Sequence, residues 1–271
     1  MDEGRWDELE PAREGLAEAR LVLHYAVQLV AAVGQSLAEK APDDSQQSLT
    51  LEGGVWLGAP VAGGKLRAGL DPVRLELRLC DAAGKALAAF PLAGRTLAEG
   101  LSFLAAELAR RGLPASALAL PKHPADFPHH PLADGARFPT ATDEGARGQL
   151  VHLFANTHAL LSDLREGQPA MLRLWPHHFD LGCSLQLGAV SLGMGVSPGE
   201  GASGRPYWYA TPWPHPALDR LPPLAGGGTW HREGWVGGEL PLERLTRGAR
   251  AQRSQVLAFF QSARSAAAGN A

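Results

Sequence analysis

The chain has 271 residues, 25 basic against 28 acidic, a formal net charge of -3, 45% hydrophobic residues and two cysteines. The near balance of charge, with no basic run, excludes a broad phosphate-neutralising surface, so no nucleic-acid partner is expected. Two isolated cysteines make no disulfide framework and fit a reducing, cytoplasmic setting. Glycine (32) and proline (21) exceed average usage without any period, which excludes collagen-like and low-complexity classes.

Met1 to Arg5 is acidic and lacks the basic start of a secretory leader. From about Leu9 to Glu39 apolar residues recur at helical spacing, through Leu16, Leu23, Val27 and Val30. The longest apolar run within it, Leu21–Val33, includes His24 and Gln28. It falls short of the roughly 20 residues that span a bilayer, so it reads as a buried helix and no membrane partner is expected. Ser48 to Leu57 alternates weakly. Val73 to Leu79 alternates strictly, which predicts a strand with Val73, Leu75, Leu77 and Leu79 on one face. Asp81-Ala82-Ala83-Gly84 is a turn signal, with Lys85 to Leu92 as the hairpin partner. Thr96 and Glu99 form a capping-box pattern that opens a helix to about Arg111.

Prolines 114, 121, 124, 128, 131 and 139 fall in residues 112–141, which predicts a long crossover with His129-His130 as a solvated pair. Asp143 opens a second helix to about Arg165, on which His152 and Asn156 read as a polar flank. Strand-like segments follow at Ala170–Trp175, His178–Leu187, Val190–Val196, Tyr207–Tyr209 and Trp235–Leu240. A last helix is expected from Pro241 to about Ala267, with Arg244, Arg247, Arg250 and Arg253 as a solvated face. The fold class expected is α+β, antiparallel sheets covered by long helices, as two pseudo-repeated helix–strands–helix halves. The boundaries are 1–112, a proline-rich crossover at 113–141, and 142–271, with one continuous domain as the alternative.

Aromatic residues, 7% of the chain, concentrate between 175 and 235, among glycine turns at 199–204 and 226–228 and with His177, His178, His215 and His231. Aromatic walls with a few polar groups are what a small-molecule pocket needs; the walls would be Trp175, Tyr207, Trp208, Tyr209, Trp213 and Trp230, with His231. If 177–187 is a strand, His178 and Asp180 project from the same face about 7 Å apart, close enough to share a metal or for the carboxylate to orient the imidazole. His178, Asp180, Glu200 and His231 would together make a His/carboxylate set for a divalent metal such as Zn or Fe. Cys183, on the apolar face of that strand, reads as an inert core thiol. No nucleophile elbow and no Walker loop is present; Gly193-Met194-Gly195-Val196 matches a phosphate-cradling loop only in part.

The run Trp175-Pro176-His177-His178-Phe179-Asp180, then Ser197-Pro198-Gly199-Glu200, then Pro206-Tyr207-Trp208-Tyr209 with Pro212-Trp213, resembles a family of uncharacterised bacterial proteins. Those proteins share a Trp-Pro-x-His-Phe-Asp run, a Ser-Pro-Gly-acid turn and a Pro-Tyr-x-Tyr segment before a Pro-Trp pair. The resemblance implies no activity. It marks His178, Asp180 and Glu200 as the polar positions to watch, Glu200 standing where Asp is usual.

Two readings of function stay open. In one the C-terminal half binds a small molecule without catalysis. In the other the pocket belongs to a hydrolase-like or metal-dependent enzyme, with His178 as base or ligand, Asp180 orienting it and Glu200 as a second acid.

Overall fold

A computed structural model describes residues 6–140, 143–165, 167–168, 170–200, 205–217 and 221–269. The fold is α+β, with four α-helices among the described residues and antiparallel sheets. The chain forms two compact units. An N-terminal unit comprises Gly15–Val151 and Arg173–Phe179. A C-terminal unit comprises Met1–Glu14, His152–Leu172 and Asp180–Ala271. Residues 113–140, the described part of the expected crossover, therefore lie inside the N-terminal unit.

The N-terminal unit is built around helix α1, Leu16–Leu37. The apolar stripe is so wide that Leu23, Val27, Leu29, Val30 and Val33 are fully buried. Among the described helices, α1 alone is long and apolar enough to cross a membrane by length and composition, and 83% of that stretch is buried inside the protein. A five-stranded sheet packs against it in the order β1 (Thr50–Glu52), β2 (Val55–Leu57), β3 (Leu66–Asp71), β4 (Glu76–Asp81), β5 (Ala86–Pro91). β6, Arg173–Trp175, is tied to this unit by a bridge between Leu49 and Leu174.

The strand expected over Val73–Leu79 starts only at Glu76. Residues 72–75 are the β3–β4 turn, and Leu75 enters the left-handed region at φ 52° with its side chain buried. A charge fixes that turn. Arg147 on helix α3 (Glu144–Leu164) is buried, and its guanidinium donates to the Pro72 and Val73 carbonyls. Turn carbonyls that no strand can satisfy thereby gain charge-assisted donors.

The capping box at Thr96 and Glu99 is formed, opening helix α2, Leu97–Ala109. The proline-rich segment holds single helical turns at Ala115–Ala117 and Pro131–Asp134, and a turn closed by the Phe127 N–H on the Pro124 carbonyl. It packs on α1, where Tyr25 Oη donates to the Pro128 carbonyl at 2.9 Å and the Phe127 ring lies 4.4 Å from that of His24. Only half of the expected solvated histidine pair is exposed. His130 is buried, with Nε2 3.2 Å from Glu18 Oε1 and Nδ1 accepting from the Leu132 N–H.

In the C-terminal unit the strands run β10 (Thr229–His231), β11 (Gly237–Pro241), β9 (Tyr207–Trp213), β8 (Val190–Ser197), β7 (Asp180–Leu187). Helix α4, Ala249–Ala268, begins later than expected, because Pro241 ends β11 and Leu242–Arg244 is a single tight turn. Arg244 and Arg247 therefore precede the helix, and Arg253 pairs with Asp163 at 3.1 Å. Asn156, expected on a polar flank, is buried; its amide closes a two-way bond with the Asp7 backbone. Gln252 of α4 does the same for Leu9 and also accepts from the Trp6 indole.

Candidate functional site

Strand register sorts the C-terminal sheet into two unlike faces, since residues directly opposite in antiparallel strands point the same way. One row runs Leu181, Val196, Trp208, Leu240, and the next alternate row Cys183, Met194, Ala210, Gly238. These side chains are apolar and face the helices. Trp208 is fully buried, with its indole N–H 2.9 Å from Thr157 Oγ1 and its ring 6.4 Å from Trp6. A side chain on Gly238 would run into Leu224 first and then the Phe259 ring of α4.

The intervening rows make the other face: Gly182, Gly195, Tyr209, Glu239, Thr229; then Ser184, Gly193, Thr211; then Gln186, Ser191, Trp213; and Ser197 beside Tyr207. This face is polar and carries no Lys or Arg on any of its five strands. Tyr209 lies across β8 toward β7 in space that only glycines leave. A Cβ on Gly182 or Gly195 would stand 2.4 Å from its hydroxyl oxygen. That hydroxyl donates to Asp180 Oδ2. Two residues earlier, Tyr207 Oη donates to Glu200 Oε1 at 2.8 Å. Burial, reinforced by the neighbouring carboxylate, pushes both phenols above their ordinary range, so each is a fixed donor to an anion. Trp213 ends the row, 63% exposed, with the His215 ring edge-on at 4.9 Å. A depression of about 180 Å³ nearby is lined by Val190, Pro212, Pro214, His215 and Ala267 of α4, on the helix side of the sheet.

The residues expected to wall one pocket are thus divided. Asp180, Tyr207, Tyr209, Trp213 and His231 belong to the polar face, and Glu200 joins it through Tyr207. Trp208 and Trp230 belong to the opposite face, and the Trp230 indole N–H bonds the Pro222 carbonyl at 2.7 Å. His231 stacks on Trp235 at 4.4 Å with Nδ1 3.1 Å from the Trp235 carbonyl. Of the glycine turn at 199–204, residues 201–204 lie outside the described residues.

The strand expected over 177–187 starts at Asp180. Residues 176–179 are a turn, closed by the Phe179 N–H on the Trp175 carbonyl at 2.8 Å, with Phe179 at φ 56°. Its physical cause is the Phe179 ring, buried in the N-terminal unit against His24 at 5.2 Å and Trp56 at 5.9 Å. His178 and Asp180 therefore do not alternate along one strand. His178 is exposed in the turn, and Trp175 lies edge-on to His177 at 5.9 Å in the same unit. Among the described residues, no group of three or more His, Cys, Asp or Glu side chains is placed to hold a metal ion; His178, Asp180, Glu200 and His231 are not assembled as ligands.

His24 is not among the site residues that the sequence marks. It is 3% exposed on α1, with Nε2 2.9 Å from the Pro176 carbonyl, which also accepts from Gln28 Nε2 at 2.6 Å. A ring nitrogen facing a carbonyl must carry the proton, and burial pushes the His24 pKa down to about 3. It is a neutral core donor. The helical i, i+4 spacing of His24 and Gln28 inside an apolar run was the available signal. Cys183 is buried and its pKa is pushed up to about 11 by that burial, which makes it a poor thiolate.

Compared with protein-family models, curated proteins and solved structures, the chain has no match to any of the three.

Proposed function

We propose that the polar face of the C-terminal sheet binds a small hydroxyl-rich molecule of the sugar class, without catalysis. The observation that carries this reading is the pair of tyrosine–carboxylate bonds, Tyr209 with Asp180 and Tyr207 with Glu200, set beside exposed Trp213. Rigid carboxylates and hydroxyls accept and donate to a polyol, and an indole face covers the apolar side of a sugar ring. The helices of this unit pack on the opposite, Trp208 side, so none of them takes up this face. The proposed setting is a reducing, cytoplasmic one, in keeping with two free, buried cysteines.

The test is saturation-transfer NMR with glucose, galactose, ribose and inositol as probes. At least one is expected to receive saturation from the protein, and to lose it with Trp213→Ala and Asp180→Asn. No transfer to any of the four, at millimolar concentration, would remove the reading.

A further inference from the structure

Among the described residues, β5 is the last strand of the N-terminal sheet and pairs with β4 alone. Its sequence, Ala-Leu-Ala-Ala-Phe-Pro, has no polar side chain, and none of its residues is buried; Leu87 is 44% exposed. An outer strand presents a row of unpaired backbone N–H and C=O groups, and soluble proteins ordinarily guard that row with charge or cover it. This strand carries no charge, and proline stands only at its last position.

Beside this edge, α2 and Phe90 line an open groove of about 550 Å³, within the size range of ligand sites. Its middle is apolar: the Phe90 and Phe103 rings stack at 5.0 Å, and Ala106 follows on α2. Its ends are charged, with Arg95 and Glu99 at one and Glu107 and Arg110 at the other. Each of these carboxylates is shared by two guanidinium groups. Glu99 accepts from Arg95 at 3.3 Å and from Arg137 at 3.2 Å. Glu107 accepts from Arg110 and, at 2.7 Å, from Arg111. Arg137 and Arg111 are outside the lining, whereas Arg95 and Arg110 are in it and are 52% and 68% exposed. Each end of the groove therefore keeps a positive charge in excess.

We propose that this edge takes up an extended segment of a partner protein, with an apolar residue between two acidic ones, as a further strand beside β5. Glu99 and Glu107 lie two turns apart on α2, which sets the charged ends about 12 Å apart at the helical rise per residue. A strand rises about 3.3 Å per residue and its alternate side chains share a face. Acidic residues four positions apart span that distance, and the residue midway between them turns to the same side. The order acid-x-apolar-x-acid thus sets a carboxylate at each positive end and an apolar side chain against Phe90 and Phe103, while its backbone pairs with the outer edge of β5. A second copy of this chain would bring positive ends against positive ends. An anionic membrane would leave the backbone edge unpaired.

Fluorescence anisotropy of a labelled peptide, Thr-Thr-Glu-Thr-Leu-Thr-Glu-Thr-Thr, with the full chain tests this. Saturable binding is expected, and Lys in place of both peptide Glu residues should weaken it by roughly tenfold. Arg95→Gln and Arg110→Gln should each weaken it by about threefold, the scale of one exposed ion pair, with the far-ultraviolet circular dichroism unchanged. Successive residues of a strand aim their backbone groups at opposite edges. N-methylation of the peptide at its Leu, or instead at the two Thr beside it, should therefore abolish binding in one form and spare it in the other. No saturable binding up to about 1 mM overturns the inference, as do two N-methylated forms that behave alike. So does binding to phosphatidylserine vesicles in place of the peptide, or a dimer in sedimentation equilibrium that Leu87→Lys divides.

Discussion

Tyr209 reaches the carboxylate of Asp180 from a strand two places away, because the intervening Gly195 and the facing Gly182 present no side chain. A phenol lying flat on a sheet is thus held by what its neighbours lack. The arrangement ties β9 to β7 independently of the backbone ladder, and it sets the position of one carboxylate on the polar face.

Gly182→Ala is expected to destabilise the protein by about 1–3 kcal/mol, the usual range for forcing a methyl into filled space, since its Cβ would meet the Tyr209 hydroxyl at 2.4 Å. In a Tyr209→Phe background that oxygen is gone, and the penalty should shrink by about 1 kcal/mol. Urea unfolding of the four proteins of this cycle measures the coupling. Equal penalties in both backgrounds would show that Tyr209 does not occupy the space.

All three tyrosines of the chain, Tyr25, Tyr207 and Tyr209, sit above the ordinary phenol value of 10.0, each mainly through burial. A phenol raised in the folded state holds its proton there and releases it more easily when unfolded. Its stabilisation is complete below pH 10 and is lost as pH rises beyond it. Absorbance at 295 nm should therefore show little tyrosinate in native protein at pH 10, and a sharp increase only on alkaline unfolding. A half-titrated native signal at pH 10 would contradict the described environments.

The acid side is expected to be governed in part by His24. Its pKa falls from 6.5 to about 3 on folding, so the unfolded chain takes up a proton that the folded chain refuses. The stabilisation is complete above pH 6.5 and erodes as pH falls toward 3, by about 5 kcal/mol at most. His24→Gln keeps a donor near the Pro176 carbonyl but does not titrate. Denaturant midpoints from pH 8 to pH 4 should fall less steeply in this variant than in wild type; parallel curves would show that His24 is solvated.

Arg147→Met is expected to cost about 2–4 kcal/mol, because the Pro72 and Val73 carbonyls lose charged donors inside the protein. Arg147→Lys should recover only part, since one ammonium cannot reproduce the planar fork. Thermal unfolding of both variants checks the order, and a lysine variant as stable as wild type would show that the fork geometry is unimportant.

Features set by neighbours in the chain were legible in the sequence. Thr96 and Glu99 cap α2 as their spacing predicts, and Asp81 and Gly84 close the β4–β5 turn through bonds confined to residues 81–85. Features decided by distant partners were not. Strict alternation from Val73 hid a turn, because the cause of that turn, Arg147, lies 74 residues away. The strand expected over 177–187 takes in Phe179, yet its ring is held by His24 and Trp56. Gly193-Met194-Gly195 looked partly like a loop for phosphate, whereas it is mid-strand and Gly195 makes room for a tyrosine. Asp180, Tyr207, Tyr209 and Glu200 were each named from sequence, but which hydroxyl meets which carboxylate follows only from the register.

The bonds from Gln252 to Trp6 and Leu9 carry a consequence for the order in which the protein is made. Trp6 meets its acceptor across a separation of 246 residues. At a synthesis rate of about 5–20 residues per second, the first segment waits roughly 12–50 s for the helix that receives it. During that interval residues 15–151 have already emerged, so the N-terminal unit has most of its chain while the C-terminal unit has almost none. Trp6 and Leu9 are thus among the last residues to find their place, and until then an indole that is buried in the finished protein stands open to chaperones and proteases.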